Sequence, residues 1–172
     1  MKTLEQALAR YDGKATDALA EIRAAFGDQR TFLAELVSLA VHEEAAISDG
    51  ATWLIKAQLD DGPRLTSSET EALLGHLDAI TSWQAQLHIC QSVRHLDVPT
   101  PLVNSCADWF EALLKSDRPF LRAWSMDALQ HLAQRDAELV PRAETALAAA
   151  EQDPAASVRA RARQWKTHRV PS

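Results

Sequence analysis

The segments WQAQLHICQSVRHL (83–96) and PFLRAWSMDALQHL (119–132) carry nearly the same apolar pattern. Offset by 36 residues, Leu87 falls on Ala123, Cys90 on Met126, Val93 on Leu129, His95 on His131 and Leu96 on Leu132. Related offsets recur elsewhere: 34 from Leu59 to Val93 and 37 from Leu121 to Val158. A period drifting through the mid-thirties, with two helices per unit, marks a stacked helical array. One such unit has too little surface to bury its own apolar face. It must stack on its neighbours, and each second helix then repeats the same stripe. In 83–96 the stripe is Trp83, Leu87, Cys90 and Val93; in 119–132 it is Leu121, Trp124, Ala128 and Leu132. The expectation is an all-α chain, a right-handed α-solenoid of antiparallel helix pairs with about ten helices.

Local signals agree with helices throughout. No alternating Val/Ile/Thr run is bounded by a hairpin turn. Thr3 with Gln6, and Thr66 with Glu69, are spaced as capping boxes. Residues 14–26 place Ala15, Leu19, Ile22 and Phe26 on one face before Gly27; helical patterns follow at 30–42 and at 50–59, after Asp49. Thr100-Pro101 and Asp153-Pro154 pair a capping residue with a proline at the first helical position, and Pro119 and Pro141 also stand where helices start. The chain reads as one domain over 1–172, with 1–45 a helical cap, 47–166 the repeats and 167–172 a short tail.

Composition narrows the setting. At 47% hydrophobic the chain is not a disordered tail, and 24% charged residues suits the expectation of a soluble protein. No run reaches the roughly 20 apolar residues of a spanning helix, and charges interrupt the N-terminus too often for a signal core. Cys90 and Cys106 lack any CxxC partner, so the expected compartment is the reducing cytoplasm. Net charge is −6, but Arg159, Arg161, Arg163, Lys166 and Arg169 stand without an acid in 155–172, leaving 13 basic against 24 acidic residues in 1–154. An acidic body repels nucleic acid over most of its surface, and the basic C-terminal end is the one candidate surface for it. Helix C-termini favour cations in any case.

Two stretches are more specific than the period. In DPAASVRARAR, Asp153 precedes Val158-Arg159; in DRPFLRAWSMDAL, Asp117 precedes Leu121-Arg122. An Asp in the turn within a unit, followed by an aliphatic residue and Arg on the second helix, resembles the HEAT repeat. The resemblance implies that Asp117, Arg122, Asp153 and Arg159 belong to a structural ladder of Asp–Arg hydrogen bonds between adjacent units. An earlier unit retains Asp49 and Lys56 at a longer spacing, and the WQAQL unit has Gln86 at the Arg position with no matching Asp.

Catalytic signatures are missing. There is no HExxH, GxSxG, P-loop glycine run or GxGxxG, so no catalytic residue, metal ligand or cofactor is assigned. His95 and His131 occupy equivalent positions but have no third ligand at convincing spacing, and Cys90 lies inside the apolar stripe. Trp53, Trp83, Trp109 and Trp124 read as core wedges between layers. If the stripe through Leu121, Trp124, Ala128 and Leu132 faces the core, then Asp127, Gln130 and Gln134 point away from it. The row continues one unit earlier with Gln91, Arg94 and Val98, and one unit later with Arg163, Gln164 and Thr167. A polar, mixed-charge row along successive second helices is how solenoids present a binding surface. The candidate groove is therefore Gln91, Arg94, Asp127, Gln130 and Arg163.

Three functions follow. The leading one is a non-catalytic HEAT-like scaffold or adaptor that engages a protein partner, with no membrane. The second is a nucleic-acid-binding or DNA-repair protein: some glycosylases for alkylated purines are built from HEAT-like helices, and Trp124, Asp127 and Arg122 would take the aromatic, carboxylate and arginine roles. The third, a lyase-like HEAT protein that handles chromophore attachment to cysteine, rests on fold analogy alone.

Overall fold

The computed structural model describes residues 2–168. Arg169 and residues 170–172 of the expected tail lie outside the described residues. The described residues form ten α-helices and four short 3-10 turns, with no strand among them. They divide into two compact units, Met1–Pro99 and Thr100–Ser172.

The first unit holds α1 (Leu4–Leu8), α2 (Thr16–Phe26), α3 (Phe32–Ala40), α4 (Ala45–Asp61), α5 (Ser67–Leu74) and α6 (Trp83–Ser92), followed by a 3-10 turn at Val93–His95. Both capping boxes form as the spacing predicts, Thr3 with Gln6 and Thr66 with Glu69. Helix α4 is the centre of this unit and packs on α1, α2, α3 and α6. Ten of its residues from Ile47 to Leu59 are buried, on every side of the helix, as a helix enclosed by neighbours must be. Small residues let those neighbours close in. A Cβ on Gly50 would lie 2.7 Å from Leu8 Cδ2 and 3.2 Å from Leu19 Cδ2, so α1 and α2 rest directly on the α4 backbone.

The α4 helix starts earlier than its apolar pattern indicates and absorbs Asp49, which sits inside the helix and not in a turn between helices. Its carboxylate is buried and accepts the Ala85 N–H at 3.1 Å, at the start of α6. Burial raises its pKa, with hydrogen bonds from Ser82 and Ala85 opposing. Lys56, at the Arg position of that unit, pairs with Asp60 at 2.8 Å.

The second unit holds α7 (Val103–Leu113), α8 (Pro119–Ala133), α9 (Val140–Glu151) and α10 (Ala156–His168). Here α8 is central and packs on α7, α9 and α10. Pro119 and Pro141 sit in the first turns of α8 and α9 as expected. Thr100-Pro101 opens a 3-10 turn, Thr100–Leu102, and α7 follows with Leu102 as a cap that makes no side-chain bond.

One regularity runs through both units. Among the described residues, most side-chain bridges between helices join positions 31 to 38 apart; Gln130 to Ala143 and Lys166 to Glu151 are closer in sequence and join consecutive helices. Arg23 reaches Gln58 and Asp61 from α2 to α4; Thr52 reaches His88 from α4 to α6; Arg142 on α9 reaches Asp108 and Glu111 on α7; and Asp127 on α8 reaches Trp165 and Arg161 on α10. Gln84, which bonds the Gly13 carbonyl, spans 71 residues, close to twice that interval. Within each unit, most of these bridges thus link a helix to the one two places along.

Candidate functional site

Helix α8 places Trp124, Asp127 and His131 on one side, at steps of three and four residues. Helix α10 answers with Arg161 and Trp165, also four apart. The Asp127 carboxylate, only 5% exposed, is the hub. The Trp165 indole N–H donates to its Oδ1 at 2.7 Å, and Arg161 Nη1 stands 3.6 Å from the same atom. On the other oxygen, His131 Nε2 lies 3.4 Å away, and the His131 and Trp165 rings meet edge to face at 4.9 Å. The Arg161 guanidinium lies 3.8 Å over the centre of the Trp124 ring. A carboxylate removed from water needs compensating donors. Asp127 has them, and in return it fixes the orientation of a guanidinium and an indole that both remain partly in solvent.

Two features border this cluster. A cleft of about 420 Å³ opens beside it, lined by Gln130, Val140, Trp165 and His168 among others. One turn before Trp124, on the same side of α8, Phe120 is 61% exposed and is the only large hydrophobic side chain exposed among the described residues.

The five candidate groove residues separate. Asp127 and Gln130, expected to point away from the core, are 5% and 4% exposed. Gln130 is held by a 2.6 Å bond from its amide to the Ala143 carbonyl, so it faces α9 rather than solvent. The assignment of faces is corrected accordingly: α8 is covered on three sides by α7, α9 and α10, which buries polar positions along with the apolar stripe. Arg163 is exposed on α10. In the first unit Gln91 is half-exposed, and exposed Arg94 bonds Asp60 at 2.9 Å. Burial alone would raise the Asp60 pKa, but hydrogen bonds from Lys56, Arg94 and His95 outweigh it and hold it at about 2.

Of the four ladder residues, the structure joins Arg122 and Asp153. Two parallel bonds link guanidinium and carboxylate at 2.8 and 2.9 Å, and Arg122 also donates to the Ser116 carbonyl at 2.8 Å. Asp153 accepts the Ala155 N–H as well, at the start of α10. Its pKa is lowered, first by the Arg122 hydrogen bonds. Arg159 turns back to the Asp153 and Pro154 carbonyls, and Asp117 is exposed.

All five tryptophans, the four expected as wedges between layers among them, are half-buried. Arg161 and Trp165 are the residues that reading missed. The signal was present in the repeat: both lie close to one period after Asp127 and are four apart on a helix. No group of three or more His, Cys, Asp and Glu among the described residues is arranged to hold a metal ion. Nor is any helix there long and apolar enough to cross a membrane. Compared with protein-family models, curated proteins and solved structures, the chain matches none.

Proposed function

We propose that this protein is a non-catalytic HEAT-like scaffold, a right-handed stack of helix pairs that binds a protein partner through exposed residues of its even-numbered helices. The observation that carries this reading is the recurring interval of 31 to 38 residues in its bridges, from α2 to α4, α4 to α6 and α8 to α10. That is the nearest-neighbour coupling a repeat array requires. The Arg122–Asp153 pair fits the ladder that the HEAT resemblance implies. Charge favours protein over nucleic acid as the partner, since residues 1–99 hold 15 acidic and eight basic residues. A photo-crosslinking residue placed at Gln91 or at exposed Gln134 is expected to trap a protein in living cells. The same residue at exposed Glu138 or Ala148, outside the even-numbered helices, is expected to trap none. Crosslinks to nucleic acid, or crosslinks from the control positions alone, overturn the reading.

A second reading, action on alkylated DNA, is favoured by one observation. Asp127 lies beside Trp165 and Arg161, and Arg161 lies over Trp124, the carboxylate, aromatic and guanidinium groups that this chemistry uses. Arg122, assigned to that role by sequence, is committed to Asp153, and Arg161 takes its place. Release of a methylated purine from duplex DNA that disappears in Asp127→Asn is the result this reading requires.

A further inference from the structure

We infer that the cleft of about 420 Å³, where the last turns of α8 and α10 meet the first turn of α9, binds a small neutral heteroaromatic ring with an N–H on its edge. The decisive residue is Gln130. It is only 4% exposed, and its amide N–H donates to the Ala143 carbonyl at 2.6 Å. A carbonyl only accepts, so the amide nitrogen must face Ala143 and the amide oxygen, Oε1, must point elsewhere. Among the described residues no donor meets Oε1. Yet every side-chain oxygen or nitrogen there that is shut off from solvent has a hydrogen-bond partner, so Oε1 is not shut off. The open space that Gln130 lines is the cleft. A buried side chain thus presents an acceptor without a donor to a cavity of ligand size, since small-molecule sites run from ~300 to 1,000 Å³. An acceptor so placed favours whatever brings it a donor.

The other lining groups set the form of the ligand. Trp165 supplies aromatic surface, and its ring is fixed before anything binds: its N–H donates to Asp127 at 2.7 Å, and His131 meets it edge to face at 4.9 Å. A planar ring loses little freedom when it settles against such a surface. Ala133, Val140 and Ala143 add apolar walls. No Asp, Glu, Lys or Arg is among the described lining residues, so nothing there compensates a charged ligand. His168 offers a second acceptor. Its Nδ1 bonds the Gln164 carbonyl at 2.7 Å and so must donate, which in the neutral ring leaves Nε2 with a lone pair. Acceptors in an apolar, uncharged cleft call for N–H donors on a neutral ring. Such a site needs no protein partner and goes beyond the scaffold reading.

The test is an NMR titration of the isotope-labelled full-length protein with indole. The control is benzofuran, a ring of the same size with oxygen in place of the N–H. Indole is expected to reach saturation and to shift the signals of the Gln130 side-chain amide and the Trp165 indole N–H. Benzofuran is expected to bind at least about tenfold more weakly, roughly the loss of one hydrogen bond. Ala133→Leu adds bulk to the cleft from a half-buried position and leaves the Gln130–Ala143 bond in place. It should weaken indole at least about tenfold and melt as wild type does, which separates lost binding from lost folding. Gln130→Met, which removes the acceptor, should abolish the preference for indole over benzofuran. Equal binding of the two rings, signals that shift elsewhere, or no saturation within the solubility of indole overturns the inference. The pair of rings decides it on the unaltered protein even where a variant unfolds. Crosslinks from Gln91 or Gln134 to a protein would survive each of those outcomes, so the scaffold reading stands or falls separately.

Discussion

Replacing Arg122 with Met removes three hydrogen bonds at once, two to the Asp153 carboxylate and one to the Ser116 carbonyl. The two charged side chains are 18% and 12% exposed, so water screens them only in part. Opposite charges at this range attract by about 4 kcal/mol at an effective dielectric near 20, and the lost hydration of both groups offsets much of that. Hydrogen bonds to charged groups retain about 1.5–3 kcal/mol each. Arg122→Met, which strands a half-buried carboxylate, is expected to destabilise by about 3 kcal/mol. Asp153→Asn, which keeps the shape and the Ala155 bond, should be milder, at about 2 kcal/mol. A double-mutant cycle read by urea unfolding should then return a coupling of about 2 kcal/mol. Acid gives the second readout. The Asp153 pKa is depressed below its ordinary 3.8, so its contribution is complete above that value and is lost as pH falls through the lower folded value. The coupling should hold at mildly acidic pH and shrink progressively as the pH is taken below 3.8. A coupling below about 0.5 kcal/mol at neutral pH, the level of an ordinary exposed pair, refutes the reasoning.

Further outcomes follow from the same geometry. Gln130→Asp puts a carboxylate against the Ala143 carbonyl in a buried site and should destabilise by about 3 kcal/mol in urea titration, close to Leu132→Asp; a silent Gln130→Asp would return that position to the surface. Gly50→Val drives methyl groups into Leu8 and Leu19 and should lower stability by about 1–3 kcal/mol, partly relieved by Leu8→Ala in the same chain. The His88 imidazole is pushed from 6.5 down to about 4, first by burial and then by Lys56. Between those values the unfolded chain takes up a proton that the folded one refuses, so stability should fall as pH drops from 6.5 to 4, and His88→Gln should flatten that slope in pH-dependent thermal melts.

Helix identity was legible in the sequence because it is written locally. Thr66 with Glu69 and Pro119 at the start of α8 carry their meaning within four residues. Burial was not local. Asp127, Gln130 and Leu132 lie within six residues, and all three are buried, because neighbours cover α8 on three sides. An amphipathic pattern presumes one covered face, and a central helix has several. Asp49 was hidden for the same reason: in a turn it would be a surface cap, whereas inside α4 it serves the first turn of the helix packed against it. Arg161 and Trp165 could be found only by carrying the repeat interval forward from Asp127. The repeat was thus more informative about partners than about faces.

The recurring interval of the bridges also bears on how this chain folds in time. Closing a loop costs entropy that grows only with the logarithm of its length, and loops of 31 to 38 residues differ by a small fraction of 1 kcal/mol in that cost. The Gln84 to Gly13 bond, 71 residues apart, closes a longer loop than these. Within each unit the central helix, α4 or α8, can order together with any one of the helices packed on it, and helices with fewer neighbours fray first. Hydrogen exchange should therefore be slowest at amides of α4 and α8, each enclosed by its own unit, and fastest toward the ends of the described chain.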